Sequence, residues 1–220
     1  MKMARKLFIF DLDGTLCDTL PDVAFYVNQT LVKFGFNGVT KEQVFDTMCY
    51  SIEEIFHILS GVKDVNDPII KQLVDYYQPT IRQSKSPRTR LYDGIDSLLK
   101  AIKDKGDYLV ILTNKSAYEA EVVYDKLLKE FNFDKVVGLK EGIIPKPDPT
   151  EIYNLIKEFC VDKQNTYFIG DGDTDVLAAL NAKVNLIAVT YGYRDKDYLA
   201  SLGAKTLADN PKEVEELIYR

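Results

Sequence analysis

The stretch Phe8-Ile9-Phe10-Asp11-Leu12-Asp13-Gly14-Thr15-Leu16 decides how this chain is read. A short apolar run, suited to one buried strand, stops at two carboxylates one residue apart, and Gly and Thr follow at once. Alternate residues of an extended chain point the same way, so Asp11 and Asp13 share a side while strand geometry persists. Like charges that close repel, and such a pair makes sense beside a cation or a shared proton. The arrangement points to a metal-assisted site rather than to a surface loop.

Outward from this stretch the chain has two textures. From Leu91 onward, apolar runs alternate with helical patterns. Tyr108-Leu109-Val110-Ile111-Leu112 reads as a strand, and Ser116 with Glu119 forms a capping box for a helix to about Glu130. Val136-Val137 is a short strand. Asp148, Pro149 and Glu151 suit the N-cap, first position and N3 of a helix reaching about Phe159. Tyr167-Phe168-Ile169 and Leu186-Ile187-Ala188-Val189 are buried strands with a helix from about Thr174 to Ala182 between them. This alternation implies an α/β fold, a Rossmann-like parallel sheet with helices on both faces.

Between Leu16 and about Arg90 the strands vanish. Val23, Val27, Leu31 and Phe34 mark one helical face, ended by Gly35. Thr40 with Gln43, and Ser51 with Glu54, are further capping boxes. Asp67-Pro68 opens another helix, which Pro79 should kink or end. A helical block of about seventy residues is therefore inserted straight after the first strand.

Composition narrows the function. At 220 residues the chain can bury a sizeable core. A net charge of -6 gives no general attraction to nucleic acid or to an anionic membrane, so neither is an expected partner. The basic stretch Met1 to Lys6 and the short apolar run after it do not make a signal peptide, and no segment approaches membrane-span length. Cys17, Cys49 and Cys160 are odd in number and lack metal-ligand spacing, which reads as idle thiols in a reducing cytoplasm.

In an open parallel sheet, ligands collect at the carboxyl ends of the strands. Asp11 and Asp13 follow the first strand, and Thr113-Asn114-Lys115 follow the strand at Leu112. Gly170-Asp171-Gly172-Asp173-Thr174-Asp175 follow the strand at Phe168, and Lys146 opens the turn before Pro149. These four polar clusters converge on one edge of the sheet.

In this order the residues resemble the haloacid dehalogenase superfamily of aspartate-nucleophile phosphohydrolases. The match runs through Asp11 and Asp13, then Thr113, then Lys146 within Pro145-Lys146-Pro147-Asp148-Pro149, then Asp171 and Asp175. It implies a catalytic core of residues 1–16 and 91–220 and a small helical cap of residues 17–90. Thr113-Asn114-Lys115-Ser116, Lys146-Pro147-Asp148-Pro149 and Tyr191-Gly192-Tyr193 resemble the phosphoglycolate-phosphatase group within it.

The resemblance implies a Mg²⁺-dependent phosphatase for a small phosphorylated metabolite, phosphoglycolate among them, acting as a monomer or homodimer. Asp11 would attack phosphorus, and Asp13 would protonate the leaving alcohol and then activate water. Asp11, the Asp13 main-chain carbonyl and Asp171 would hold Mg²⁺, which prefers oxygen ligands. Thr113, Asn114 and Lys146 would bind the phosphoryl group, the lysine through its charge. Asp175, four residues from Asp171, shares its side if the helix has begun, and would support Lys146 or a metal-bound water. Asp173 fits neither position and reads as a first-turn acid.

Two rival readings stand beside this one. A β-phosphoglucomutase-type mutase of the same superfamily would return the phosphoryl group to substrate, and a non-catalytic binding module could use the same fold. His57, the only histidine, lies on the helical pattern of the inserted block and reads as structural or exposed. Thr47 to Ser51, which the resemblance turns toward the site, offer no Arg or Lys for the anionic end of phosphoglycolate. Ala182-Lys183 stands where the resemblance expects Ala-Gly, and a local change of turn is expected there.

Overall fold

The structure, a computed structural model, describes residues 5–48 and 50–219. Cys49, in the middle of the Thr47 to Ser51 stretch, lies outside the described residues, as do residues 1–4 of the basic N-terminal stretch. In chain order the elements are β1 (Leu7–Phe10), β2 (Cys17–Asp18), α1 (Leu20–Lys33), α2 (Lys41–Phe45), α3 (Ile52–Ser60) and α4 (Pro68–Ser84). There follow β3 (Arg90–Leu91), α5 (Ile95–Asp104), β4 (Tyr108–Ser116), α6 (Ala117–Val123), β5 (Lys135–Leu139) and α7 (Thr150–Phe159). The chain ends with β6 (Thr166–Gly170), α8 (Asp173–Ala182), β7 (Asn185–Val189), α9 (Lys196–Ser201), β8 (Leu207–Ala208) and α10 (Pro211–Ile218). They divide into two units, Met1–Asp18 with Leu91–Arg220, and Thr19–Arg90.

The first unit carries a six-stranded sheet ordered β5-β4-β1-β6-β7-β8, with parallel pairings throughout. β1 has β4 on one side and β6 on the other, so strand order reverses there, and its carboxyl end is where such sheets take ligands. Its four residues are fully buried and divide between two cores. Phe8 and Phe10 pack with Leu109, Ile111 and Ile169 against α5, α6 and α10, while Leu7 and Ile9 pack with Val110, Leu112 and Phe168 against α7 and α8. This alternation explains why the run carries no polar residue: both faces of the strand are covered. The expected parallel sheet with helices on both faces is borne out.

The second unit holds α1 to α4 and buries Val23, Val27, Leu31, Phe56, Leu73 and Tyr77. The rings of Phe56 and Tyr77 meet edge to face at 5.5 Å and join α3 to α4. Both expected capping boxes are complete: Thr40 with Gln43 and Ser51 with Glu54 exchange side-chain-to-backbone hydrogen bonds. Asp22, at the start of α1, accepts hydrogen bonds from the N–H groups of Arg88 and Thr89 at 2.9 and 2.7 Å, tying the two ends of this unit together. Among the described residues no helix is long and apolar enough to cross a membrane.

Several local expectations are narrowed or corrected. Pro79 does not end α4, which runs on to Ser84. The flanking Tyr77 and Ile81 are both buried, and that burial outweighs the one lost hydrogen bond. The helix after Ser116 keeps α geometry only to Val123, widens into a π turn over Tyr124–Leu128 and tightens to a 3₁₀ turn over Lys129–Phe131.

Lys183 does not change the turn after α8; it adopts the left-handed conformation itself, at φ 58° and ψ 45°. That conformation crowds its Cβ, and its exposed side chain gains no core packing in return. Lys183→Gly is therefore expected to stabilise the protein by about 0.5–1 kcal/mol, read as a higher urea midpoint at unchanged slope. A lower midpoint would contradict this account.

Candidate active site

Five loops of the first unit meet at the carboxyl end of β1. The N–H of Asp11 still donates to the carbonyl of Ile169 at 2.9 Å, so the ladder with β6 extends one residue past the strand and fixes where Asp11 starts. The chain then turns sharply, with the N–H groups of Leu16 and Cys17 both on the Leu12 carbonyl and Gly14 at φ +81°. A β-carbon on Gly14 would lie 2.2 Å from Asp171 Oδ2. One on Gly192 would lie 2.3 Å from the Gly14 carbonyl oxygen. Bare backbone at these two positions is what lets three loops close on Asp171.

Asp171 is almost fully buried. Thr15 donates its hydroxyl to Oδ1 at 2.8 Å, and the N–H of Tyr193 donates to Oδ2 at 2.7 Å. Asp175 is equally buried: Oδ2 accepts from the Gly172 N–H at 2.9 Å, and Oδ1 accepts from Lys146 Nζ at 2.6 Å. Since α8 begins only at Asp173, Asp171 precedes the helix. The loop, not a shared helical face, brings the two acids together, which corrects the helical-spacing expectation.

Lys146 is 4% exposed, and its Nζ also lies 2.9 Å from Asp11 Oδ1. This contact is an ion pair without hydrogen-bond alignment, and Asp11 Oδ1 is a buried acceptor with no hydrogen-bond partner among the described residues. Burial, and after it the charge of Asp175, raises the Asp11 carboxyl to about 7 despite Lys146. Burial with Asp175 and Asp11 likewise raises Asp171 well above the usual carboxylate range. Burial works against the charge on Lys146, but Asp11 and Asp175 outweigh it and hold the ammonium above its ordinary value.

β4 contributes the fifth loop. Its pairing with β5 shifts register between Leu112 and Ser116, which takes the intervening residues out of the regular ladder. Thr113 is buried, and its Oγ1 accepts the Lys115 N–H at 3.2 Å. The Asn114 amide donates to the Lys146 carbonyl and accepts from the Lys146 N–H, both at 2.9 Å. The Asn114 amide holds the Lys146 loop in place.

Asp13 turns away from the other acids. Lys115 Nζ donates to Asp13 Oδ1 and Oδ2 at 3.1 and 2.8 Å. Sequence reading quoted Lys115 within its motif but gave it no role, because nothing local indicates which acid a lysine at a strand end will reach. Thr15 and Tyr193, the donors to Asp171, were also missed. Asp173 stands apart from this group, with its Oδ1 3.8 Å from Arg194 Nε. His57 lies in α3 of the other unit, half-buried. Cys17 packs in the core, where burial, with Asp13 next, raises its thiol and keeps it protonated.

Asp11, Asp171 and Asp175 each offer an oxygen within 4.8 Å of the others. An all-carboxylate set containing one buried acceptor without a hydrogen bond fits a hard divalent cation such as Mg²⁺. The Asp13 carboxylate is outside this group.

A family model described as haloacid dehalogenase-like hydrolase matches residues 8–189. A phosphoglycolate phosphatase of Colwellia psychrerythraea is 29% identical over 224 residues, covering 97% of each chain. An N-acetylmuramic acid 6-phosphate phosphatase of Pseudomonas aeruginosa is 27% identical, over 100% of this chain and 97% of its own. The crystal structure of a protein from Lactobacillus delbrueckii subsp. bulgaricus, provisionally assigned as a phosphoglycolate phosphatase, superposes with a TM-score of 0.88 at 26% identity. That match covers 98% of this chain and 99% of the other.

Proposed function

The chain belongs to the haloacid dehalogenase-like hydrolase family, and we propose that it is a Mg²⁺-dependent phosphatase of small phosphorylated metabolites working through an aspartyl-phosphate on Asp11. One observation carries the reading: Asp11 is buried with its Oδ1 2.9 Å from the ammonium of a buried lysine, Lys146. A weak nucleophile needs such a cation beside it to neutralise the incoming phosphate.

In the first step an Asp11 oxygen bonds to phosphorus, the bond to the leaving oxygen breaks, and Asp13 gives that oxygen its proton. In the second, water attacks phosphorus, Asp13 takes the water's proton, and phosphate departs with Asp11 restored. Thr113 and the loop amides hydrogen-bond the phosphoryl oxygens. Lys146, pinned by Asn114 and Asp175, supplies positive charge. Asp11, Asp171 and the Asp13 carbonyl would hold Mg²⁺, which when bound neutralises the charge gathered by the acids and the phosphoryl group.

The two named relatives act on monophosphate esters of carboxylic acids, and such esters are the first substrates to try. Phosphate release is to be measured from phosphoglycolate, N-acetylmuramic acid 6-phosphate, sugar monophosphates and p-nitrophenyl phosphate, with MgCl₂ or with EDTA. The expected result is release from at least one ester that EDTA removes. Background release from all of them in Mg²⁺ would refute the proposal.

A further inference from the structure

Each acid of Asp11-Leu12-Asp13 has its own lysine. Lys146 serves Asp11 and Asp175, whereas Lys115 grips both oxygens of Asp13. The Lys115 and Asp13 side chains are only 10% and 16% exposed, so their pair is largely withdrawn from water. Lys115 is also held at its backbone, where its N–H meets Thr113 Oγ1. It thus links the loop after β1 to the phosphate-facing end of β4.

A carboxylate with both oxygens on one ammonium cannot swing freely. Proton transfer needs its oxygen within hydrogen-bond reach of the atom it serves, and a misplacement of about 1 Å can cost about 100-fold. Asp13 lies in a turn past a strand end, where its side chain would otherwise rotate. We propose that Lys115 is a positioning residue, holding the Asp13 side chain in place; Asp13 takes a proton from solvent before the first step and gives it to the leaving oxygen. This rests on the phosphatase reading of the same site. The competing account is a plain staple between two loops, which would alter stability and slow all esters alike.

Leaving-group dependence separates the two. An alkoxide needs a proton to depart, whereas p-nitrophenolate does not, so only the alkyl ester depends on a well-placed Asp13 in the first step. Lys115→Met, Lys115→Gln and Lys115→Arg are compared with wild type in Mg²⁺, with thermal melts to verify folding. The readouts are kcat and KM on the best alkyl phosphate and the first-turnover burst of p-nitrophenolate.

Lys115→Met is expected to lose about 100-fold in kcat on the alkyl ester. Its burst should slow by less than about tenfold, and KM should move by less than about threefold. Lys115→Arg should recover at least about tenfold of the alkyl loss, because a guanidinium can also hold both carboxylate oxygens. Lys115→Gln replaces the Met variant if that protein does not fold. Equal losses on both esters, or an arginine variant no better than methionine, would overturn the positioning role. Wild-type protein inactive on every ester fails at the earlier step, the phosphatase reading, and removes the positioning role with it.

Discussion

Asp11→Asn is expected to abolish turnover, by at least about 10⁴-fold, and at the same time to stabilise the metal-free protein at neutral and alkaline pH. The first effect follows because an amide cannot form the acyl phosphate. The second follows from charge. Asp11, Asp171 and Asp175 are crowded together and face one ammonium, that of Lys146. Burial, with Asp175 next, lifts the Asp11 carboxyl from 3.8 to about 7, so the folded protein keeps a proton that the unfolded chain gives up near pH 4. The stability tied to this group is therefore greatest below about pH 4, is lost as pH rises toward about 7, and is level above that.

The full shift corresponds to at most about 4 kcal/mol. A neutral side chain should recover roughly 2 kcal/mol at pH 8, a rise of about 4–8 °C in melting temperature in EDTA. At pH 4 the two proteins should melt together. Mg²⁺ should raise the wild-type melting temperature at pH 8 more than that of the variant. A variant that melts below wild type at pH 8, or that keeps near-full Mg²⁺-dependent activity, would sink the charge account or the nucleophile assignment respectively.

Lys146→Met acts in the opposite direction. It removes the cation between Asp11 and Asp175 and leaves buried carboxylates facing each other. Stripping one partner from such a pair costs about 3–5 kcal/mol, so the metal-free variant should melt about 10 °C below wild type at pH 8. Acid should rescue it, since protonation of the clustered acids relieves the repulsion. Turnover should fall about 10²–10³-fold with the loss of positive charge at the phosphoryl group. An unchanged melting temperature at pH 8 in EDTA would show that the three carboxylates do not rely on this lysine.

The paired predictions show how much of this site could be read from sequence. Asp11, Asp13, Thr113 and Asp171 lie at the carboxyl ends of strands, Asp175 lies in the first turn of α8 and Lys146 in the loop before α7; a strand ending in acids is visible as a run of letters. Their partners are another matter. Lys115 to Asp13 spans 102 residues and Asn114 to Lys146 spans 32, and neither pairing has a local signal. Pro79 does not end α4 because the penalty of proline is local, whereas the burial of Tyr77 and Ile81 that overrides it is not. Lys183 misled: the expectation treated the left-handed turn as negotiable, yet it persists with a residue that dislikes it.

The sequence by itself determined the parallel sheet, because apolar runs without polar interruption can be satisfied only by strands covered on both faces. It also determined where the acids fall, since strand ends are set by where those runs stop. The tertiary structure alone decided the division of labour between the acids. Which lysine reaches which carboxylate, and which oxygen stays without a donor, depends on loops brought together by folding. Burial then turns those few contacts into large differences in charge affinity. Asp11 and Asp13 are nearly identical in sequence terms, and folding is what gives one a bare oxygen and the other a fixed one.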